Sequence, residues 1–157
     1  MPDFETRDAI LAEACQIADG QVGGTLATTH AEDGTPYVTF VLFHLRPDGR
    51  VLFGSGHNAQ HTRNMHATPE VSFLIDNREV ISADWSLFHR IVIEGEATSV
   101  APESPAFQAY LDELRRKNGM AAYFAGQGSL FTIVPRRLIL VRGFEPGRHV
   151  IDFGSED

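Results

Sequence analysis

The sequence predicts a mainly β fold, a β-barrel of six antiparallel strands with α-helices packed around it. Three observations lead there. Six runs rich in β-branched and aromatic residues lie between residues 24 and 144. Two Asp-Gly pairs, Asp33-Gly34 and Asp48-Gly49, separate the first three runs as hairpin turns do. Only three helical patterns interrupt the series, so the strands follow one another instead of alternating with helices, which favours a closed or nearly closed antiparallel barrel over a doubly wound sheet.

Residues 3–19 carry Phe4, Ile10, Leu11, Ala14, Cys15 and Ala18 at helical spacing, with Asp3 placed to cap the first turn and Gly20 to stop the last. Extended runs follow at 24–30, 36–46 and 50–55. AQHTRNMHA at 59–67 has no β-branched run and stops before Pro69, which predicts a short helix. EVSFLID at 70–76 is the fourth strand. After the polar stretch NREVISADW comes FHRIVIEGEATSVA at 88–101, the fifth, in which Gly95 signals a bulge or bend. SPAFQAYLDELRRKNG at 104–119 is a helix: Ser104 caps it, Pro105 suits its first turn, and Phe107, Tyr110, Leu111 and Leu114 form one stripe. Arg115, Arg116 and Lys117 complement the negative end of its dipole before Gly119 ends it. SLFTIVPRRLILVRGF at 129–144 is the sixth strand, with Pro135 at an edge or a bulge.

A chain of 157 residues fits one domain, 1–157, and at that size roughly two-thirds of the unfolded surface is buried without disulfide or metal staples. Thirteen Lys plus Arg against 21 Asp plus Glu give a formal charge of -8, a field that repels phosphate backbones and anionic membranes, so no nucleic acid and no membrane is expected as a partner. The longest apolar run, VTFVLF at 38–43, is far short of the roughly 20 residues that span a bilayer. MPDFETRD has no apolar core and does not read as a secretory signal. Cys15 cannot form an internal disulfide and sits where a small apolar residue fits, so it reads as a packing residue in a reduced, cytoplasmic protein.

The densest cluster of chemistry-bearing residues is FGSGHNAQHTRN at 53–64. His57 and His61 stand four apart, as two zinc ligands on a helix would, but Asn58 occupies the place where the zincin pattern has its glutamate, and His57 precedes the expected helix start. No metal site is expected. Ser55 lies in GSGH and not in a GxSxG elbow, which argues against a Ser-His-Asp hydrolase. A phosphate cradle uses more of the stretch. Gly54, Ser55 and Gly56 end a strand with exposed amides and a hydroxyl, the helix N-terminus adds its own amides, and His61, Arg63 and Asn64 bring side-chain donors. The competing reading is a solvated helix face after a hairpin. His44 at the end of one apolar strand, His89 and Arg90 at the start of another, and His149 are further polar candidates that a barrel wall could aim at a ligand.

The run from Gly24 to Asp76, followed by RIVIEGEA, resembles the FMN-binding split-barrel superfamily, the pyridoxamine 5'-phosphate oxidase-like proteins. The pieces come in that family's order: a LAT…DG.P hairpin, a flavin-contacting strand, a short helix with basic residues and an Asn, a P.VS strand and an R…G.A strand. The resemblance covers residues 23–101, and TIVPRRLILVRGF at 132–144 is similar to the closing strand. It implies a six-stranded antiparallel split barrel that forms a homodimer, with FMN at each end of the interface. By position it implies that Thr39, Phe40, Val41 and Leu42 line the flavin ring. Gly54, Ser55, Gln60, His61, Arg63 and Asn64 would then surround the ribityl phosphate, and Arg90 would reach the ring.

The chain departs from the family in four respects, one of them His44, which stands where the oxidase uses a lysine for the substrate phosphate. His61 replaces the usual lysine of the short helix, and neither the Ser-Gln-Ser substrate motif nor the terminal tryptophan-containing strand of the oxidase is present. The resemblance thus implies an FMN-dependent oxidoreductase acting on a small-molecule substrate other than pyridoxine phosphate. The HTRN tetrapeptide is similar to the haem-utilisation branch, which makes haem an alternative cofactor with His149, after the GF of RGFEPGRHV, as its axial ligand. A third branch binds a deazaflavin, and a non-enzymatic flavin binder is a further alternative.

Overall fold

The structure is a computed structural model that describes residues 5–79 and 84–154. Asp3 and Phe4, read as the start of the first helix, lie outside the described residues. Helix α1 (Arg7–Asp19) is capped instead by Thr6, whose Oγ1 accepts from the Ala9 amide at 3.2 Å, and it stops at Gly20. Its buried stripe, Ile10, Ala14 and Ala18, joins the barrel core.

Strands β1 (Gly23–Thr29), β2 (Pro36–Leu45) and β3 (Val51–Ser55) form an antiparallel meander. At its two turns Gly34 and Gly49 take φ of 74° and 89°, which explains both Asp-Gly pairs. Helix α2 (Gln60–Ala67) crosses to β4 (Glu70–Asp76), which pairs with β1. A 3-10 turn at Trp85–Leu87 leads into β5 (His89–Val100), and the part of the polar stretch at 80–83 lies outside the described residues. After α3 (Pro105–Lys117), β6 (Ser129–Arg142) pairs with β5 along its length and, through Ser129–Ile133, with β3.

That last pairing closes a six-stranded antiparallel barrel in the order β3-β2-β1-β4-β5-β6. Side chains alternate between the interior and the outside, as strand geometry requires. Val41, Phe43 and Leu45, then Phe73 and Ile75, then Ile91 and Ile93 point inward into one apolar cluster. Phe43 meets Phe73 edge-on at 5.1 Å between ring centroids. The register of β5 against β6 shifts between Glu94 and Gly95, with Gly95 opposite Pro135, so the two residues expected to mark irregularities mark the same bulge. A side chain at Gly95 would collide with the Val134 carbonyl.

Two expectations are corrected. The third helix does not end the helical region at Gly119: Asn118 is the C-cap of α3 and also the N-cap of a fourth helix, α4 (Gly119–Gln127). The Asn118 side chain accepts from the Met120 and Ala121 amides at 3.0 and 3.2 Å, so Gly119 becomes the first residue of a new helix. Ala121, Ala122 and Ala125 of α4 and Leu111 and Leu114 of α3 then bury Leu52 and Leu130 in a second cluster outside the barrel. The count of strands also rises to seven. β6 ends at Arg142, and β7 (His149–Asp152) pairs with its outer part, Arg137 to Leu140, beyond the bulge.

Candidate functional site

The end of β3, the start of α2, the middle of β2 and helix α4 enclose a cavity of about 400 Å³. Phe40, Val41 and Leu42 line it from β2, Gly54, Ser55 and Gly56 from the end of β3 and the following loop, His61 from α2, and Ala121 and Phe124 from α4. Six of the residues that the sequence assigns to a cofactor therefore meet around one space.

Small side chains make this space possible. A Cβ at Gly54 would collide with the Ala125 backbone, so only glycine lets α4 settle this close to β3. Ser55, buried at the strand end, is fixed by Thr62, whose hydroxyl donates to the Gly56 carbonyl; the Ser55 hydroxyl accordingly donates to Thr62 Oγ1. The loop leading into α2 is tied down from within, and its helix begins at Ala59, which offers no side-chain cap to the first amides. Those amides carry the positive end of the helix dipole and suit an anion. His61 lines the cavity with a buried Nε2 that has no hydrogen-bond partner. Burial pushes its pKa below the ordinary histidine value, so it is a neutral imidazole at pH 7.

The other expected site residues lie elsewhere. Gln60 donates to Glu32 and to Asn64 Oδ1 at 2.9 and 2.8 Å, and its amide oxygen accepts from Arg63. Arg63 is exposed and donates to the Asn58 carbonyl at 2.8 Å, with Glu32 at 3.7 Å. Asn64 is fully buried: its amide donates to Thr28 Oγ1 at 3.0 Å and its oxygen accepts from the Ala31 amide at 2.8 Å, joining α2 to β1. Thr39 is half-buried on β2 but does not line the cavity, and Arg90 is exposed on β5 opposite Asp76. His149 lies on β7 opposite Leu140, toward the far end of β6 from Ser129, and its Nε2 is 3.1 Å from Arg142 Nη1, an N–H donor. His57 stands apart from His61, with Nδ1 3.3 Å from Ser129 Oγ. Among the described residues no group of three or more His, Cys, Asp or Glu side chains is placed to hold a metal ion.

Two lining residues, Ala121 and Phe124, escaped the sequence reading because α4 did. Their signal was present in MAAYFAGQ, where alanines recur at helical spacing between aromatic residues.

The family model for pyridoxamine 5'-phosphate oxidase matches residues 12–143. The chain belongs to that family. Its split-barrel fold places the pyridoxamine 5'-phosphate oxidase family member beside several solved structures. The haem-binding protein of Mycobacterium smegmatis is similar with a TM-score of 0.78 at 24% identity over 94% of this chain and 60% of that one, so this chain spans less than two thirds of that protein. The haem storage protein HutZ of Vibrio cholerae follows with a TM-score of 0.64 at 22% identity, over 88% of this chain and 92% of that one. An FAD-binding protein of Mesorhizobium loti has a TM-score of 0.64 at 18% identity, over 82% of this chain and 92% of that one. No curated protein sequence matches. Within the described residues of this pyridoxamine 5'-phosphate oxidase family member, no helix is long and apolar enough to cross a membrane.

Proposed function

We infer that the protein binds FMN in the cavity between β2, β3, α2 and α4 and acts as a flavin-dependent oxidoreductase on a small-molecule substrate. One observation carries this reading: the apolar residues Phe40, Val41 and Leu42, the Gly54-Ser55-Gly56 turn and His61 at the start of α2, whose Nε2 has no hydrogen-bond partner, border the same cavity. The apolar wall suits the flavin ring, and the uncapped amides with His61 suit its phosphate. Bound FMN would supply two-electron chemistry. The chain's own part is to exclude water with Phe40 and Phe124, to donate from His61, and to hold the loop through Ser55 and Thr62. Gln60, Arg63 and Asn64 brace α2. Thr39 and Arg90, which the sequence assigns to the ring, do not line this cavity.

A homodimer is part of the same reading. Phe40 and Phe124, which line the cavity, together with Val38 on β2 and Met120 and Tyr123 on α4, are large apolar residues left 66, 47, 64, 53 and 56% exposed. A second copy of the chain covers them and completes the pocket. A cytoplasmic location fits a partly buried free thiol at Cys15.

The test is the absorption spectrum of the purified protein and of cofactor released from it, followed by FMN titration read by flavin fluorescence and by thermal unfolding. Saturation at about 100 times the dissociation constant stabilises the native state by about 2.7 kcal/mol. Unchanged fluorescence and an unshifted melting temperature overturn the reading. Haem is the second reading, favoured by the haem-binding proteins among the similar folds, with His149 as ligand. A haem titration whose Soret band does not change in His149→Ala removes that residue from the role, and a deazaflavin is recognised by its own spectrum.

A further inference from the structure

The residues that line the cofactor cavity carry no permanent charge. Arg63 is the one arginine or lysine on α2, and it is not among them. Its side chain runs back toward the start of the helix: Nη1 donates to the Asn58 carbonyl at 2.8 Å, Nη2 donates to Gln60 Oε1, and Nε lies 3.7 Å from Glu32 Oε1. Glu32 belongs to the turn between β1 and β2. Its other oxygen accepts from Gln60 Nε2 at 2.9 Å, with His30 Nδ1 2.6 Å away. A carboxylate therefore sits at the first turn of α2, where Ala59 supplies no side-chain cap and the helix dipole favours negative charge.

This placement is built into the fold. Asn64 Oδ1, on a fully buried side chain, accepts from both the Ala31 amide and Gln60 Nε2 at 2.8 Å. Ala31 precedes Glu32, so the buried amide fixes the turn against the helix and brings Glu32 to Gln60 and Arg63.

We propose that Glu32 is an internal stand-in for the ligand's phosphate and sets how far the site favours phosphorylated flavins over unphosphorylated ones. The inference rests on the FMN reading and concerns the tail of that ligand. Carboxylate and phosphate oxygens take the same charge-assisted bonds from an arginine fork. While Glu32 holds Arg63 and Gln60, neither is offered to a ligand, and the carboxylate itself repels a dianion arriving at the helix start. Arg63 and Glu32 are 48 and 56% exposed, and an exposed ion pair is weak enough for a phosphate to displace. The guanidinium is already beside the right loop, since the Asn58 carbonyl lies two residues beyond Gly56 of the cavity lining.

The test compares the full-length wild type with Glu32→Gln, which keeps the shape and loses the charge. Each is titrated with FMN and with riboflavin, read by flavin fluorescence at low salt. The expected result is FMN binding roughly fivefold or more tighter in Glu32→Gln, shrinking as ionic strength rises, with riboflavin affinity unchanged. Adding Arg63→Gln to Glu32→Gln should remove the gain. An FMN affinity that does not rise, an equal rise for riboflavin, or a gain that survives the double change overturns the proposal. If neither flavin binds either protein, the flavin reading falls, and inorganic phosphate at constant ionic strength becomes the probe. Greater thermal stabilisation of Glu32→Gln than of wild type by phosphate then upholds the role of Glu32, and equal stabilisation overturns it.

Discussion

Ser55 and Thr62 join their hydroxyls across the turn from β3 into α2, and both side chains are almost fully buried. The pair ties down the loop between β3 and α2 from within. Thr62→Val leaves the Ser55 hydroxyl and the Gly56 carbonyl without their partner, at a cost of about 1–3 kcal/mol in urea denaturation. Adding Ser55→Ala to Thr62→Val should cost less than the sum of the two single changes, because they remove the same bond. Additive losses would show that the two hydroxyls act separately.

Gly54→Ala places a methyl group against the Ala125 backbone. It should destabilise the fold by about 1–3 kcal/mol, as overpacking does. It should also weaken FMN binding, since α4 carries two of the cavity's lining residues, Ala121 and Phe124. Unchanged stability in thermal unfolding would mean that α4 moves freely away from β3.

His61→Lys restores the charge that the family's short helix usually carries. A charge-assisted bond to phosphate exceeds a neutral one by about 1 kcal/mol, so FMN should bind roughly fivefold tighter at low salt. The gain should shrink as ionic strength rises. Isothermal titration at two salt concentrations measures both effects.

Asn64→Ala separates bracing from binding. It strands the buried Thr28 hydroxyl and the Ala31 amide, and about 2–3 kcal/mol of stability is expected to go. FMN affinity, measured where the variant remains folded, should fall far less than in His61→Ala. The reverse order would place Asn64 at the ligand.

Lys117 predicts a pH slope in stability. Its pKa falls from the ordinary 10.5 in the unfolded chain to about 8 in the fold. Between those values the unfolded state binds the extra proton, so stability rises with pH there; below pH 8 both states are protonated and the burial cost is full. Relative to Lys117→Met, which does not titrate, the wild type should gain stability from pH 8 to 10.5. Urea denaturation across that window reads the sign directly, and a flat difference would contradict the burial of the amine.

The parts of this fold that sequence exposes are those fixed by local chemistry. Asp33-Gly34 and Asp48-Gly49 need a left-handed glycine wherever they occur, and Ser104-Pro105 starts a helix by its own hydrogen bonding. Gly95 and Pro135 each announced an irregularity, although nothing local says that they face one another. Gly119 misled because a glycine after a cationic turn usually ends a helix, whereas here Asn118 ends one helix and starts the next. On α2 the sequence supplies donors but not their directions. Packing against the barrel buries Thr62, Asn64 and Met65, brings His61 to the cavity, and leaves Arg63 outside, and those choices depend on contacts distant in the chain.

The pairing that closes the barrel, Val51 with Ile133 through Ser55 with Ser129, joins segments farther apart in the sequence than any other strand pair in the sheet. Loop closure of that span comes at an entropic cost that neighbouring hairpins escape. Gly54 and Ser55, which line the cavity between β2, β3, α2 and α4, are held by that same pairing. A nascent chain emerging from the ribosome therefore cannot complete this cavity until the residues after Gly128 arrive, so a truncation before that point removes the barrel's closure and the cavity together.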